Sequence, residues 1–252
     1  MADIIDLKAT DLAAMLCSRV CHDLINPIGA IGNGLEVLGD PAQTEMADGA
    51  RDLIASAARQ SRAKLEFARL AYGASSTSGT DIDTRECERV ARILFEIEKA
   101  DLEWSVPLIL LPKHKAKLFM NMLLIAAMSV PRGGQVTAAI SGDAGYEKFE
   151  FHSKSDPEKR QKTLIPSGAA GLLAGTPDEG FVDARGIQPF YTGLLARMTD
   201  MDIAIGIEND VFYFTATPRL QQKSLKNLFR ASERQQSANQ FLGSAAPQWG
   251  WR

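Results

Sequence analysis

An apolar stripe repeats at helical spacing through residues 10–38, and the proline inside it does not interrupt it. At about 100° per residue, Leu12, Leu16, Val20, Leu24, Ile28, Ile31, Leu35 and Leu38 share one broad face. A helix this long with so wide an apolar face must be covered from more than one side. Thr10 is the expected N-cap, with Asp11 favourable in the first turn, and Gly39 before Asp40-Pro41 is the expected end. Pro27 lacks an N–H and clashes with the carbonyl one turn back, so a kink is expected there, with a backbone carbonyl left free.

His22 points nearly opposite to the stripe. Ser18, Ile25, Asn26, Gly29 and Asn33 share its side, and Ser18 and Gly29 are small enough to let another protein approach. A lone helical histidine is ordinarily a surface residue or a satisfied core residue. On spacing alone that reading stands, but the residues that follow each have a physical job that a chemical reading would use. A neutral imidazole, with an unperturbed pKa of about 6.5, is a good nucleophile toward phosphorus. Asp23 would either orient the other ring nitrogen or take its proton, and these alternatives stay open. Asn26, one turn on, would bond a phosphoryl oxygen or a water beside the ring. His22, Asp23 and Asn26 are therefore the candidate site. A metal site at Cys17, Cys21 and His22 is the weaker reading, because the two thiols align toward the apolar side while His22 points about 100° away from Cys21. No metal is expected.

A second helical pattern spans residues 43–72, with Met46, Ala50, Leu53, Ile54, Ala57, Ala58, Leu65 and Ala68 on an alanine-rich inner face. Two such helices make an antiparallel hairpin, which cannot bury a two-sided apolar surface alone. A second copy would complete a four-helix bundle, so a homodimer is expected. Gly-Ala-Ser-Ser-Thr-Ser-Gly at 73–79 reads as a linker, giving a helical domain at 1–79. Beyond it, helices are expected at 83–99, capped by Asp83 or Thr84, at 114–129 and at 189–199, with strands at 102–106, 135–140, 148–153, 201–207 and 211–217. Helices mixed with antiparallel strands make an α/β sandwich over 80–220, and the class is α+β. Residues 221–252, rich in Gln, Ser and Asn, read as a mobile or loosely docked tail.

With 45% hydrophobic and 23% charged residues, the chain has the make-up of globular protein, and its net charge of −3 gives no case for a general nucleic-acid binder. No apolar run reaches the ~18 residues of a membrane span, and the first residues lack a signal-peptide layout. Three cysteines without disulfide-framework spacing suit a reducing compartment, so a cytoplasmic protein is expected, with no membrane or nucleic-acid partner.

His-Asp-Leu-Ile-Asn-Pro-Ile at 22–28 closely resembles the phosphoacceptor box of two-component histidine kinases. The sandwich that follows resembles their ATP-binding domain with its chemistry removed. Asn-Met-Leu-Leu-Ile-Ala-Ala at 121–127 resembles the N box, but Ile125 stands where the resemblance implies a magnesium-binding Asn, and an isoleucine offers no oxygen ligand. The Asp-x-Gly-x-Gly signature is missing, since Asp156 is followed by Pro157, and Gly186 and Gly193 are too far apart to cradle phosphate. An intact acceptor box joined to a degenerate kinase-like domain resembles the ChpT-type histidine phosphotransferases of alphaproteobacteria, over residues 11–218. The most specific stretches are Cys-His-Asp at 21–23, Phe-Ala-Arg-Leu-Ala-Tyr-Gly at 67–73 and Pro-Arg-Gly-Gly at 131–134.

That resemblance implies a dimeric phosphorelay intermediate, a protein-histidine phosphotransferase and not an ATP-dependent kinase. It would move a phosphoryl group between receiver-domain aspartates through a phosphohistidine at His22. In the family the donor is the hybrid kinase CckA and the acceptors are the response regulators CtrA and CpdR. No cofactor is expected on this chain, with magnesium expected on the partner receiver. The competing class is a non-catalytic module that binds receivers or a kinase; an ATP-dependent kinase with an aberrant site is a third, and a phosphatase action through Asn26 could accompany transfer.

Overall fold

The computed structural model describes residues 4–73, 81–159 and 161–219. Contacts divide the chain into a compact unit, Met1–Thr217, and a second, Pro218–Arg252, which lies almost wholly outside the described residues. The expected linker at 73–79 and the expected tail at 221–252 also fall largely outside them.

The first helix, α1 (Ala9–Gly39), runs through Pro27 without ending. Its N-cap is Lys8, with no side-chain cap bond, so the expected Thr10 cap is corrected: Thr10 lies inside the first turn. A short 3₁₀ segment, Pro41–Met46, is held by Asp40, whose carboxylate accepts the Ala42 N–H at 2.9 Å, and leads into α2 (Ala47–Ala71). The two helices run antiparallel. Gly34 lies against Ala50 and Ile54, so closely that a Cβ there would sit 2.6 Å from Ile54 Cγ1, while Asp23 meets Lys64 farther back along the pair. Of the inner face expected on α2, Ala50 and Ala57 are buried, but Met46, Leu53, Ala58 and Leu65 are exposed. The residues that bury its far end are Ala63, Phe67 and Ala71, of which Phe67 and Ala71 join the core of the sandwich.

The sandwich begins with α3 (Thr84–Phe95), preceded by the two-residue strand β1 (Ile82–Asp83), and Asp83 caps it by accepting the Arg85 N–H at 2.8 Å. Then come β2 (Ala100–Ser105), β3 (Leu110–Leu111), α4 (Lys113–Met128), β4 (Gly134–Ser141), β5 (Lys148–Ser155), α5 (Ala169–Ala174), α6 (Ile187–Met198), β6 (Met201–Glu208) and β7 (Val211–Pro218). The main sheet has the order β2-β4-β5-β7-β6, and β1 pairs β3 separately. Alternate residues of the central strands turn inward: Val136, Ala138 and Ile140 on β4, Phe149 and Phe151 on β5, Phe212 and Phe214 on β7. Phe119 of α4 packs its ring 4.8 Å from Phe151 and 5.2 Å from Phe149. One correction concerns pairing, since β2 and β4 are parallel and only the remaining pairs fit the expected antiparallel pattern. A parallel pair needs a crossover, and α4 supplies it. The turn between β6 and β7 has positive φ at both Asn209 and Asp210, the geometry that a two-residue hairpin demands and that these residue types tolerate.

The helical hairpin and the sandwich share one hydrophobic core, in which Phe67 and Ala71 pack with Cys87, Leu94, Leu118 and Met122. Polar ties cross the same seam. Asn121 Nδ2 donates to the Ala71 carbonyl at 3.1 Å, and Arg89 and Arg69 of neighbouring helices pair with Glu66 and Glu86 at 2.8 and 3.5 Å. At the N-terminus, the Ile5 N–H donates to the Gly175 carbonyl at 2.9 Å, and Ile5 and Leu7 join Val182, Ile187 and Phe190 in a smaller cluster.

Candidate functional site

The long helix sets His22 on its open side, with 76% of the side chain exposed. Ser18, Ile25, Asn26, Gly29 and Asn33 are all exposed beside it, while Pro27 and Gly34 are buried on the other side. Of the expected apolar stripe, Leu12, Leu16, Val20, Leu24 and Ile31 are half-buried, whereas Ile28, Leu35 and Leu38 are exposed in the single chain. A Cβ added at Gly29 would meet nothing within 4 Å, so the approach to the imidazole from that turn is open.

Asp23 lies one residue around the helix and is partly covered. Its Oδ2 accepts Arg19 Nε at 3.0 Å, and its Oδ1 lies 3.6 Å from His22 Nδ1. That second distance exceeds a hydrogen bond. The carboxylate thus stands between the Arg19 guanidinium and the ring, on the side of Nδ1. Asn26 is exposed on the following turn.

The carbonyl freed by Pro27 is that of Asp23, and it is not left bare: Lys64 Nζ of α2 donates to it at 3.2 Å. Arg19, Asp23 and Lys64 also line a cavity of about 280 Å³ between the hairpin and the sandwich, together with Phe67, Tyr72 and Glu98. The Tyr72 hydroxyl is buried with no hydrogen-bond partner among the described residues, and its ring packs 5.9 Å from that of Tyr191. Burial pushes the phenol's pKa up, the Arg19 charge opposes this, and the nearby Asp23 charge adds to it. The sequence reading missed Arg19, Lys64, Tyr72 and Glu98. The only local signal was Pro27, which announces a free carbonyl but not the donor that fills it.

The kinase-like segments have other work here. Asn121 is fully buried, and its Nδ2 also bonds the Lys117 carbonyl at 2.9 Å. Ile125 is a core residue. Asp156 accepts the Glu158 N–H at 2.9 Å and so starts a one-turn 3₁₀ segment. Gly193 lies inside α6, where a Cβ would sit 2.0 Å from the Leu173 carbonyl oxygen, so this glycine lets α5 approach. Cys17 and Cys21 are exposed and Cys87 is buried; among the described residues no three His, Cys, Asp or Glu side chains gather as a metal site. No described helix is long and apolar enough to cross a membrane.

The family described as histidine phosphotransferase C-terminal domain matches residues 84–211. The Protein phosphotransferase ChpT of Brucella abortus (strain 2308) is 40% identical over 212 residues, spanning 84% of this chain and 98% of that protein. A solved structure of a bacterial phosphotransferase is also 40% identical, with a TM-score of 0.77, and the match covers 85% of this chain and 100% of that one.

Proposed function

From the chain's membership of the ChpT-type histidine phosphotransferases, which makes it a protein phosphotransferase of a phosphorelay, we propose that His22 is the residue that carries the phosphoryl group. The observation that carries this reading is the exposed imidazole with Asp23 3.6 Å from its Nδ1, on a face otherwise free of buried contacts. In the transfer, the Nε2 lone pair attacks phosphorus of an aspartyl phosphate in line, the N–P bond forms, and the P–O bond breaks to return a carboxylate. Asp23 meets the positive charge that develops on the ring. Asn26 stands where it reaches a phosphoryl oxygen. Such transfers depend mainly on positioning and charge neutralisation, so this chain needs to supply little else.

The partners are receiver domains, CckA-like as donor and CtrA-like or CpdR-like as acceptors, each bringing its own magnesium. The protein works in the cytoplasm as a homodimer, in which the exposed Ile28, Leu35 and Leu38 of α1 and Leu53 and Leu65 of α2 supply the apolar surface that a second hairpin covers to complete a four-helix bundle. The sandwich is a second contact surface for receivers. Residues 1–79, 80–220 and 221–252 are its three parts, with the last assigned no role.

The test is transfer from a labelled phospho-receiver, comparing wild type with His22→Ala and with ATP alone. Acid-labile label should reach wild type, be absent from His22→Ala and never arise from ATP. Label that reaches His22→Ala at the wild-type rate would refute His22 as acceptor, and tight receiver binding without transfer would leave a sequestering module.

A further inference from the structure

Within an α-helix each carbonyl accepts from the N–H four residues on. Asp23 is denied that donor, because residue 27 is proline. Its carbonyl is nevertheless bonded, by Lys64 Nζ from the neighbouring helix at 3.2 Å. The same residue's carboxylate is held from the inner side by Arg19 Nε at 3.0 Å and faces His22 Nδ1 at 3.6 Å. Asp23 is thus gripped at its main chain by one cation and at its side chain by another, and its remaining oxygen is aimed at the acceptor ring.

The proline has a cost for this site, since it unlatches the backbone at the turn where the ring must be aimed. A charged donor reaching over from α2 restores the latch, and a charge-assisted bond to a carbonyl is stronger than the amide bond it replaces. The donor is also well anchored. One residue before it, Ala63 is buried, and three residues after it, Phe67 enters the shared core. The aim of His22 is therefore referred to the second helix and, through it, to the sandwich.

We propose that Lys64 is a positioning residue for phosphoryl transfer: its ammonium stands in for the amide N–H that Pro27 lacks, and with Arg19 it fixes Asp23 against His22. This rests on the reading of His22 and Asp23 as the site.

The proposal makes Lys64 and Pro27 interdependent, which a lysine serving only solubility or hairpin stability would not be. The experiment measures transfer from a labelled phospho-receiver to Lys64→Met, Lys64→Arg, Pro27→Ala and the Pro27→Ala/Lys64→Met double variant, at a temperature where circular dichroism shows all folded. Lys64→Met should lower the rate at saturating receiver about tenfold, as a mis-aimed reacting group does, with the half-saturating receiver concentration little changed. Lys64→Arg should restore most of the rate. In the Pro27→Ala background the residue 27 amide can bond the Asp23 carbonyl, so removing Lys64 should cost less than about twofold. Nitrogen-15 shifts of the His22 ring should move toward the Nε2–H tautomer in Lys64→Met and not in the double variant. Equal losses in both backgrounds, or Lys64→Met at full rate while His22→Ala is dead, would overturn the proposal and leave the site intact. Label reaching His22→Ala would instead overturn the site itself.

Discussion

Replacing Ile28 and Leu35 of α1 by serine should separate the protomers. In the single chain these side chains are 54% and 57% exposed on the face that turns away from α2 and the sandwich. Fully burying an Ile or Leu is worth about 1.5–3 kcal/mol, so covering the exposed half of each yields about 1 kcal/mol. Two-fold symmetry places four such side chains in one interface, and their loss weakens it by about 4 kcal/mol, or roughly a thousandfold in Kd. Serine lowers helix propensity by only about 0.5 kcal/mol per site, so the hairpin itself should survive. Sedimentation equilibrium across a wide concentration range reads the Kd, with far-ultraviolet circular dichroism as the check on folding. A wild-type protein that stays monomeric at every concentration, or a double variant that dimerises with unchanged affinity, would refute the assignment of this face to a second copy.

Gly193→Ala should destabilise the fold by about 3 kcal/mol, because the new methyl would sit 2.0 Å from the Leu173 oxygen and force α5 off α6; denaturant unfolding measures it, and a change under ~0.5 kcal/mol would contradict the packing. Asn121→Leu leaves the Ala71 carbonyl without the bond it now accepts at 3.1 Å, at a cost of about 1–3 kcal/mol, seen as faster hydrogen exchange at the end of α2 than in the middle of α1. Burial pushes the Cys87 thiol up from 9.0 to about 12. Between those values the unfolded chain ionises and the folded one does not, so stability falls as pH rises from about 9. Cys87→Ala should lower Tm throughout but flatten that alkaline slope, and an unchanged slope would assign it to other groups. In the native wild type, Cys87 should resist iodoacetamide until the protein is unfolded.

The hairpin was legible because its signals are local. Leu12 to Leu38 repeat at helical spacing, Gly39 and Asp40-Pro41 mark the end, and the side of the helix that His22 occupies follows from counting residues. The strands expected at 211–217 and 148–153 were legible for the same reason: Phe149 and Phe151 alternate with Lys148, Glu150 and His152, and Phe212, Phe214 and Ala216 fall on every second residue of a β-branched and aromatic run. What failed was non-local. The burial of Phe67 and Ala71, in place of Leu53 and Leu65, depends on the sandwich lying against the end of α2, and nothing within residues 43–72 reports that neighbour. The helix α5 is only six residues long and too short to show a period. Thr10 is not the cap because the helix begins two residues earlier than a Thr10 cap implies, with Lys8 as its N-cap. At the candidate site, the sequence pointed to His22, Asp23 and Asn26, but Arg19 belongs to no motif and Lys64 lies 41 positions from Asp23.

The seam between hairpin and sandwich carries a consequence for how such a protein changes over time. Because Phe67 and Ala71 sit in the same core as Leu94 and Met122, the His22 helix pair and the sandwich are carried on one packed frame, like two jaws machined from a single block. The spacing of the jaws is set by side chains buried in that core. A methylene gained or lost in that seam would regauge every complex at once, so descendants can acquire new partners through silent interior substitutions while the face they present stays the same.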